Sequence, residues 1–229
     1  MTPEPLRVCE TPFGKFQIQP GDGISDTTAT GVLWDGAGFL QPIFREHYRP
    51  GTTVIDIGAN IGTFSIWAAH SGAWRVIAVE PIPQTMLMLK ASLALNRFCD
   101  DVVIPLEVAA WDKVTRLAIE KFDPLNLGAS AVGPVDIAGT EIPVSWIDAR
   151  PLDEFRFLFG AQVSLIKCDA QGSDLKALLG LHKTIAQDHP VIVFEWEQDP
   201  ADIEPVMLEL GYGWRPWPTH PNNFIAWSK

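Results

Sequence analysis

The sequence is poor in basic side chains. Seventeen Lys and Arg stand against 28 Asp and Glu, a formal net charge of −11 at pH 7. A surface that tracks nucleic-acid phosphates needs clustered positive charge, so this balance argues against a nucleic-acid partner. Cysteine is scarce as well. Cys9, Cys99 and Cys168 are odd in number and scattered, which fits free thiols in a reducing cytoplasm better than a disulfide framework or a metal site. The five histidines lack metal-ligand spacing too, so no metal is expected. Long apolar runs are missing: Trp74, Arg75 and Lys90 interrupt the best candidates for a bilayer span. Residues Met1 to Glu10 lack the basic-then-apolar pattern of a secretory leader.

What remains is a globular profile, 47% apolar and 20% charged. A chain of 229 residues is enough for one domain with a real core. We read residues 1–229 as that domain, with 1–49 as an N-terminal cap on the substrate side of a core from 50 to 229. Nine tryptophans are many for this length, and five of them follow residue 140. Most are expected in the core, with a substrate-stacking role for one or two.

Phe13, Phe16 and Ile18 alternate with polar residues, as in a short strand or hairpin. Residues 39–48 carry apolar side chains at helical spacing and stop before Pro50-Gly51. Short apolar, mostly β-branched runs then predict buried parallel strands at 53–57, 76–79, 102–109, 163–167 and 191–195. Helical stretches fall between them, at 63–70, 84–96, 174–182 and 201–210. Further strands are expected at 115–119 and 141–144, around a loop at 126–130, and a short helix at 149–159 behind Pro151. The tail offers a last pair of strands, 214–217 and 223–227. Strands alternating with helices imply an α/β domain with a mostly parallel sheet, closed by an antiparallel C-terminal hairpin.

The chemistry concentrates in VIDIGANIGTF, residues 54–64. Ligands of open α/β sheets sit outside the carboxyl ends of the strands, near the reversal of strand order. Gly58 and Gly62 allow a tight turn and a close approach of backbone to ligand. A P-loop needs Gly-Lys-Ser/Thr, and this loop has Gly62-Thr63 without the lysine. The G-x-G-x-x-G spacing that holds a pyrophosphate is absent as well. Asp56 at the loop entrance would repel a phosphate and suit a ligand ammonium. S-adenosylmethionine (SAM) carries an ammonium and a sulfonium. Glu80, at the tip of the second strand, is placed to accept ribose hydroxyls, a role that NAD and SAM sites share.

Four blocks in order resemble the FkbM-type family of SAM-dependent methyltransferases: VIDIGANIGTFSIWAA; VIAVEPIPQTMLMLKASLALN with its Glu80-Pro81 step; LEVAAWD; and LIKCDAQGSDLKALLG followed by VIVFEW. They span roughly residues 50–196. The resemblance implies a Rossmann-like class I methyltransferase fold, SAM as cofactor, and methyl transfer, commonly to an oxygen of a sugar or natural product. Carried over, Asp56, Gly58, Asn60, Gly62 and Glu80 would contact SAM, while Glu107, Ala109 and Trp111 would border its adenine. The family's usual Asp-x-Glu-Gly-x-Glu segment departs here to Asp169-Ala170-Gln171-Gly172-Ser173-Asp174, with an amide in place of a carboxylate.

A hydroxyl acceptor gains from a nearby base. The candidates are Asp169 and Glu195, at the carboxyl ends of the fourth and fifth core strands. Asp169 has a competing structural role, holding the cofactor or capping the next helix. Lys167 reads as a strand residue with a paired or solvated end. The favoured expectation is O-methylation of a small-molecule hydroxyl. N-methylation of a peptide or amide nitrogen, and a non-catalytic SAM-binding domain, are the alternatives.

Overall fold

All five residues of Thr53–Ile57 are buried although successive side chains point to opposite faces. Such a strand has to be covered on both sides, as in the middle of a parallel sheet. The computed structural model, which describes residues 5–32, 40–97, 101–121, 130–134, 145–218 and 220–229, puts it there. The chain begins with β1 (Arg7–Thr11), β2 (Gly14–Ile18), α1 (Gly23–Ala29) and α2 (Leu40–His47). Then come β3 (Thr53–Ile57), α3 (Thr63–His70), β4 (Arg75–Val79), α4 (Pro83–Leu95) and β5 (Val103–Leu106). β6 (Ala109–Ala110), β7 (Thr115–Lys121), β8 (Ala131–Gly133) and β9 (Trp146–Arg150) build a separate small sheet in the order β6-β9-β7-β8. α5 (Arg156–Phe159), β10 (Val163–Cys168), α6 (Asp174–Leu179), α7 (His182–Asp188), β11 (Val191–Glu195), α8 (Ile203–Leu210), β12 (Tyr212–Trp217) and β13 (His220–Ser228) complete it.

The main sheet runs β12-β13-β11-β10-β3-β4-β5. Its strands β5, β4, β3, β10 and β11 are parallel, and β13 lies antiparallel to both β11 and β12. The strand order therefore reverses between β3 and β10, and a crevice opens at their carboxyl ends. Val54, Val76, Leu165, Val193 and Ile225 fill one face of the sheet, against residues of α3, α4 and the β1–β2 hairpin. Ile55, Ile77, Ile166, Ile192 and Ala226 fill the other, against α6, α7 and α8. The hairpin is tied to the end of α4 away from the crevice: the Gln17 amide donates to Ser92 Oγ and the Lys15 amide to Asn96 Oδ1, each at 2.9 Å.

Three segments differ from the sequence-based expectation. The turn-rich start contains α1, capped by Asp22, whose carboxylate accepts from the Ser25 amide at 2.9 Å. The helix expected at 149–159 is instead the end of β9, a 3-10 turn over Leu152–Phe155 and the single turn of α5. Ile147 and Ala149 alternate with exposed neighbours and pack into the small sheet, so the period is that of a strand up to Pro151. The helix expected at 174–182 ends at Gly180, where the Trp111 carbonyl oxygen lies 2.1 Å from where a Cβ would stand. α7 then starts afresh, its Lys183 and Thr184 amides donating to Asp153 at 2.8 and 3.0 Å. The expected strand at 141–144 and most of the loop at 126–130 lie outside the described residues.

Among the described residues no helix is long and apolar enough to cross a membrane. No group of three His, Cys, Asp or Glu among them is placed to hold a metal. Cys9 and Cys168 are free; Cys99 lies outside the described residues.

Gly180 has an ordinary helical backbone, φ −68°, so only the close carbonyl demands glycine. Gly180→Ala should lower the unfolding free energy by roughly 2–4 kcal/mol through overpacking. Urea unfolding measures it, and an unchanged midpoint would contradict this packing.

Candidate active site

β3 leaves the sheet at Ile57, and Gly58 turns it with φ +72°. A Cβ at Gly58 would stand 1.8 Å from the Asp169 carbonyl oxygen, so only glycine lets the ends of β3 and β10 pass this closely. The amides of Gly58 and Ala59 both donate to the Val79 carbonyl at 2.9 Å. Asn60 is left-handed, φ 52°, and its Oδ1 accepts from the Ile61 amide at 2.7 Å. That local bond is what lets an asparagine adopt this conformation. Gly62 then opens α3 with no side-chain cap. The first-turn amides of α3 are left for another partner.

Behind the loop lies a buried ion pair. Lys167 and Asp56 are register partners on β10 and β3. The Lys167 Nζ stands 3.1 Å from Asp56 Oδ1 and donates to the Gly58 carbonyl at 2.8 Å. Ser65 Oγ, on the first turn of α3, donates to Asp56 Oδ2 at 2.6 Å. Burial works against the charge on Lys167, but the Asp56 and Asp169 carboxylates outweigh it and hold its pKa above the ordinary lysine value. The expectation that Asp56 faces a ligand ammonium needs correction. Asp56 has no exposed surface, and the ammonium it faces is that of Lys167, set beside it by strand register. A lysine inside a buried parallel strand was the signal for this pair, since such a residue needs a partner. Nothing local marked Ser65.

Glu80 follows β4 and is 5% exposed. Its Oε1 accepts from the Ile82 amide at 2.9 Å and its Oε2 from the Asn60 amide at 3.0 Å. Burial pushes its pKa up to about 7, against the pull of these two bonds and of Lys167. A carboxylate has roughly four acceptor sites, so each oxygen keeps capacity for a ligand hydroxyl. Glu107, beyond β5, is half-exposed and paired with Lys90 at 2.8 Å. Ala109 and Trp111 are buried with Ile82, Leu117 and Ile147 in the core under the small sheet.

Across the crevice, the Asp169 amide donates to the Ile57 carbonyl at 3.0 Å, and its side chain is 33% exposed. Gln171 Nε2 donates to Asp169 Oδ1 at 3.0 Å and reaches Glu195 Oε2 at 3.5 Å. Burial first, and then the adjacent Asp169 carboxylate, push Glu195 up to about 8. Asp174 opens α6 fully buried; its Oδ1 accepts from the Ala170 amide at 3.1 Å, and its Oδ2 has no hydrogen-bond partner. Burial, with the nearby Asp169, raises Asp174 to about 7. α6 itself has no side-chain cap; Asp174 instead ties its first residue back to the turn at Ala170. Asp56, Gly58, Asn60, Gly62, Glu80, Asp169 and Glu195 all gather at or directly behind the carboxyl ends of β3, β4, β10 and β11. A hollow of about 530 Å³ lined by Phe44, Tyr48, Trp67 and Gly72 lies elsewhere, by the C-terminal end of α3.

The raised Asp174 carboxyl makes stability depend on pH. Its folded value, about 7, exceeds the ordinary value of 3.8. The stability it contributes is present below the lower value and is lost as pH rises through the upper one. Asp174→Asn removes that loss, so the variant should gain on the order of 2 kcal/mol at pH 8 and much less at pH 4. Chemical unfolding at the two pH values checks it; an equal effect at both would contradict the assignment.

Comparison with known proteins agrees with this geometry. The family model described as the Methyltransferase FkbM domain matches residues 56–213. The structure of the methyltransferase FkbM from Methylobacillus flagellatus superposes with a TM-score of 0.55 at 18% identity, over 81% of this chain and 50% of that one. TYW2 of M. jannaschii, solved in complex with AdoMet, gives 0.50 at 13% identity, over 98% of this chain and 84% of that one. The ribosomal protein L11 methyltransferase of Burkholderia thailandensis is 26% identical over 63% of this chain and 45% of its own length. The chain thus spans about half the length of the FkbM structure and of this relative. The sheet order is that of the class I SAM methyltransferases, with the loop after β3 and the acid after β4 at its switch point. With the model matching most of its length, the chain belongs to the FkbM family of SAM-dependent methyltransferases.

Proposed function

We propose that this chain transfers the methyl group of SAM to a hydroxyl oxygen of a small molecule, such as a sugar or secondary metabolite. The observation that carries this reading is the partly exposed Asp169 carboxylate at the end of β10, beside the loop after β3. The residues present fit the cofactor. Gly58 and Gly62 bring backbone close, the uncapped start of α3 offers amides, and Glu80 keeps acceptor capacity for ribose hydroxyls. Asn60 shapes the same loop. Asp56 acts from behind, through Lys167. Glu107, Ala109 and Trp111 are assigned to the adenine side, with Glu107 offering the accessible side chain and the other two its buried wall.

SAM supplies a methyl group already activated on a sulfonium, so the protein's task is alignment and handling of one proton. The acceptor oxygen takes the methyl carbon as the carbon–sulfur bond breaks, and its proton passes to Asp169. Burial and the adjacent Asp169 raise Glu195 to about 8, so at neutral pH it does not compete with Asp169 for the acceptor's proton. A net charge of −11 supports a small acceptor over a nucleic acid. Core clusters on both faces of one sheet support reading residues 1–229 as a single domain. The free thiols of Cys9 and Cys168 suit the cytoplasm.

A labelled-methyl assay over sugars, phenols and peptides tests the reading. Turnover is expected on a hydroxyl; turnover confined to peptide nitrogen, or SAM binding without any turnover, would overturn it. Asp169→Asn should lower kcat by about 10²–10⁴-fold with SAM affinity unchanged. Loss of SAM affinity in that variant would contradict its role as base.

A further inference from the structure

Residue 171 sits where two carboxyls meet. It is a glutamine with φ 50°, followed by Gly172 with φ 86°. Two left-handed residues in succession turn the chain sharply at the end of β10 and carry the Gln171 side chain over Asp169 and Glu195. A long side chain adopts this conformation at a cost that glycine or asparagine would largely avoid. The bridging bonds are what the glutamine has in return: Nε2 is 3.0 Å from Asp169 Oδ1 and 3.5 Å from Glu195 Oε2. The turn is held from outside as well, by Gln198 Nε2 donating to the Gly172 carbonyl at 3.2 Å.

The charges around the pair are unbalanced. Lys167 Nζ lies 3.8 Å from Asp169 Oδ2, and its closer partner is Asp56. Asp174 and Glu197 add negative potential at Glu195, after burial and Asp169 itself. Two neighbouring carboxyls do not both ionise readily, and of this pair Glu195 is the one pushed up. An amide between them supplies N–H donors without adding charge. A glutamate in the same place would bring a third negative charge and no donor.

We propose that Gln171 is a positioning residue for the proton that Asp169 and Glu195 share: it donates to Asp169, keeps that carboxylate an acceptor, and leaves the proton on Glu195. The proposal deepens the reading of Asp169 as the base and rests on it for its catalytic meaning. The placement of the proton is a separate, measurable fact.

Carbon-13 NMR titration of the side-chain carboxyls in the full chain, without acceptor, reads it directly. In the unmodified protein Glu195 should titrate near 8. Gln171→Glu should raise the highest midpoint of the cluster by about one unit or more, as expected for an added like charge. Gln171→Met, similar in length but without donors, should also raise the highest midpoint of the cluster, by roughly half a unit, because the carboxylates lose an N–H donor. The methionine variant decides the matter if the glutamate variant fails to fold. An ordinary carboxylate midpoint for Glu195, or unchanged titrations in a folded variant, would overturn the proposal. Titrations that shift as expected, together with full turnover by Asp169→Asn, would leave the proton placement standing and remove the base.

Discussion

A lysine ammonium buried between two parallel strands is the constraint on which the site depends. Lys167 and Asp56 stand side by side in the register of β10 and β3. Neither charge would be tolerated there alone, and removing one partner of such a pair typically costs about 3–5 kcal/mol. The same ammonium binds the Gly58 carbonyl, and Asp56 binds Ser65 on α3. One ion pair thus fixes the strand, the turn that follows it and the helix beyond the turn. The turn at the start of the loop is held on both sides, the Gly58 carbonyl by Lys167 and the Gly58 and Ala59 amides by Val79.

Around this cation the crevice is acidic, and its acids are held by different means. Two backbone amides steady Glu80, one amide donates to Asp174, and a glutamine amide bridges Asp169 and Glu195. Burial raises Glu80, Asp174 and Glu195 above the ordinary carboxylate range. Ionising them in the absence of a ligand costs stability. A ligand that carries positive charge, as SAM does on its sulfonium and ammonium, lowers that cost when it binds. Functional sites often conflict with local stability in this way.

Much of the fold was legible because its core strands announce themselves. Thr53–Ile57, Val163–Cys168 and Val191–Glu195 are short apolar runs, and each lies within a residue of its expected place. The misses share a cause that local pattern does not carry. At Gly180 glycine is required because the Trp111 carbonyl, just beyond β6, packs against it from far away in sequence. Trp146–Arg150 is a strand because the small sheet exists to receive Ile147 and Ala149. The tight turn at Gly58 and the place of Glu80 beyond β4 were readable from spacing. Lys167 in a buried strand signalled that it needs a partner, but which residue that is was not readable, since strand register joins residues far apart in sequence. Nor was the role of Gln171, which depends on a left-handed turn that brings two strand ends under one amide.

A crystal structure of the chain with S-adenosylhomocysteine, the demethylated form of the cofactor, would test the central assignment most directly. The ribose hydroxyls should lie within hydrogen-bond distance of the Glu80 carboxylate, and the sulfur should face Asp169 across the Gly58–Gly62 loop. A ligand bound elsewhere, with Glu80 still engaged only by the Asn60 and Ile82 amides, would contradict it.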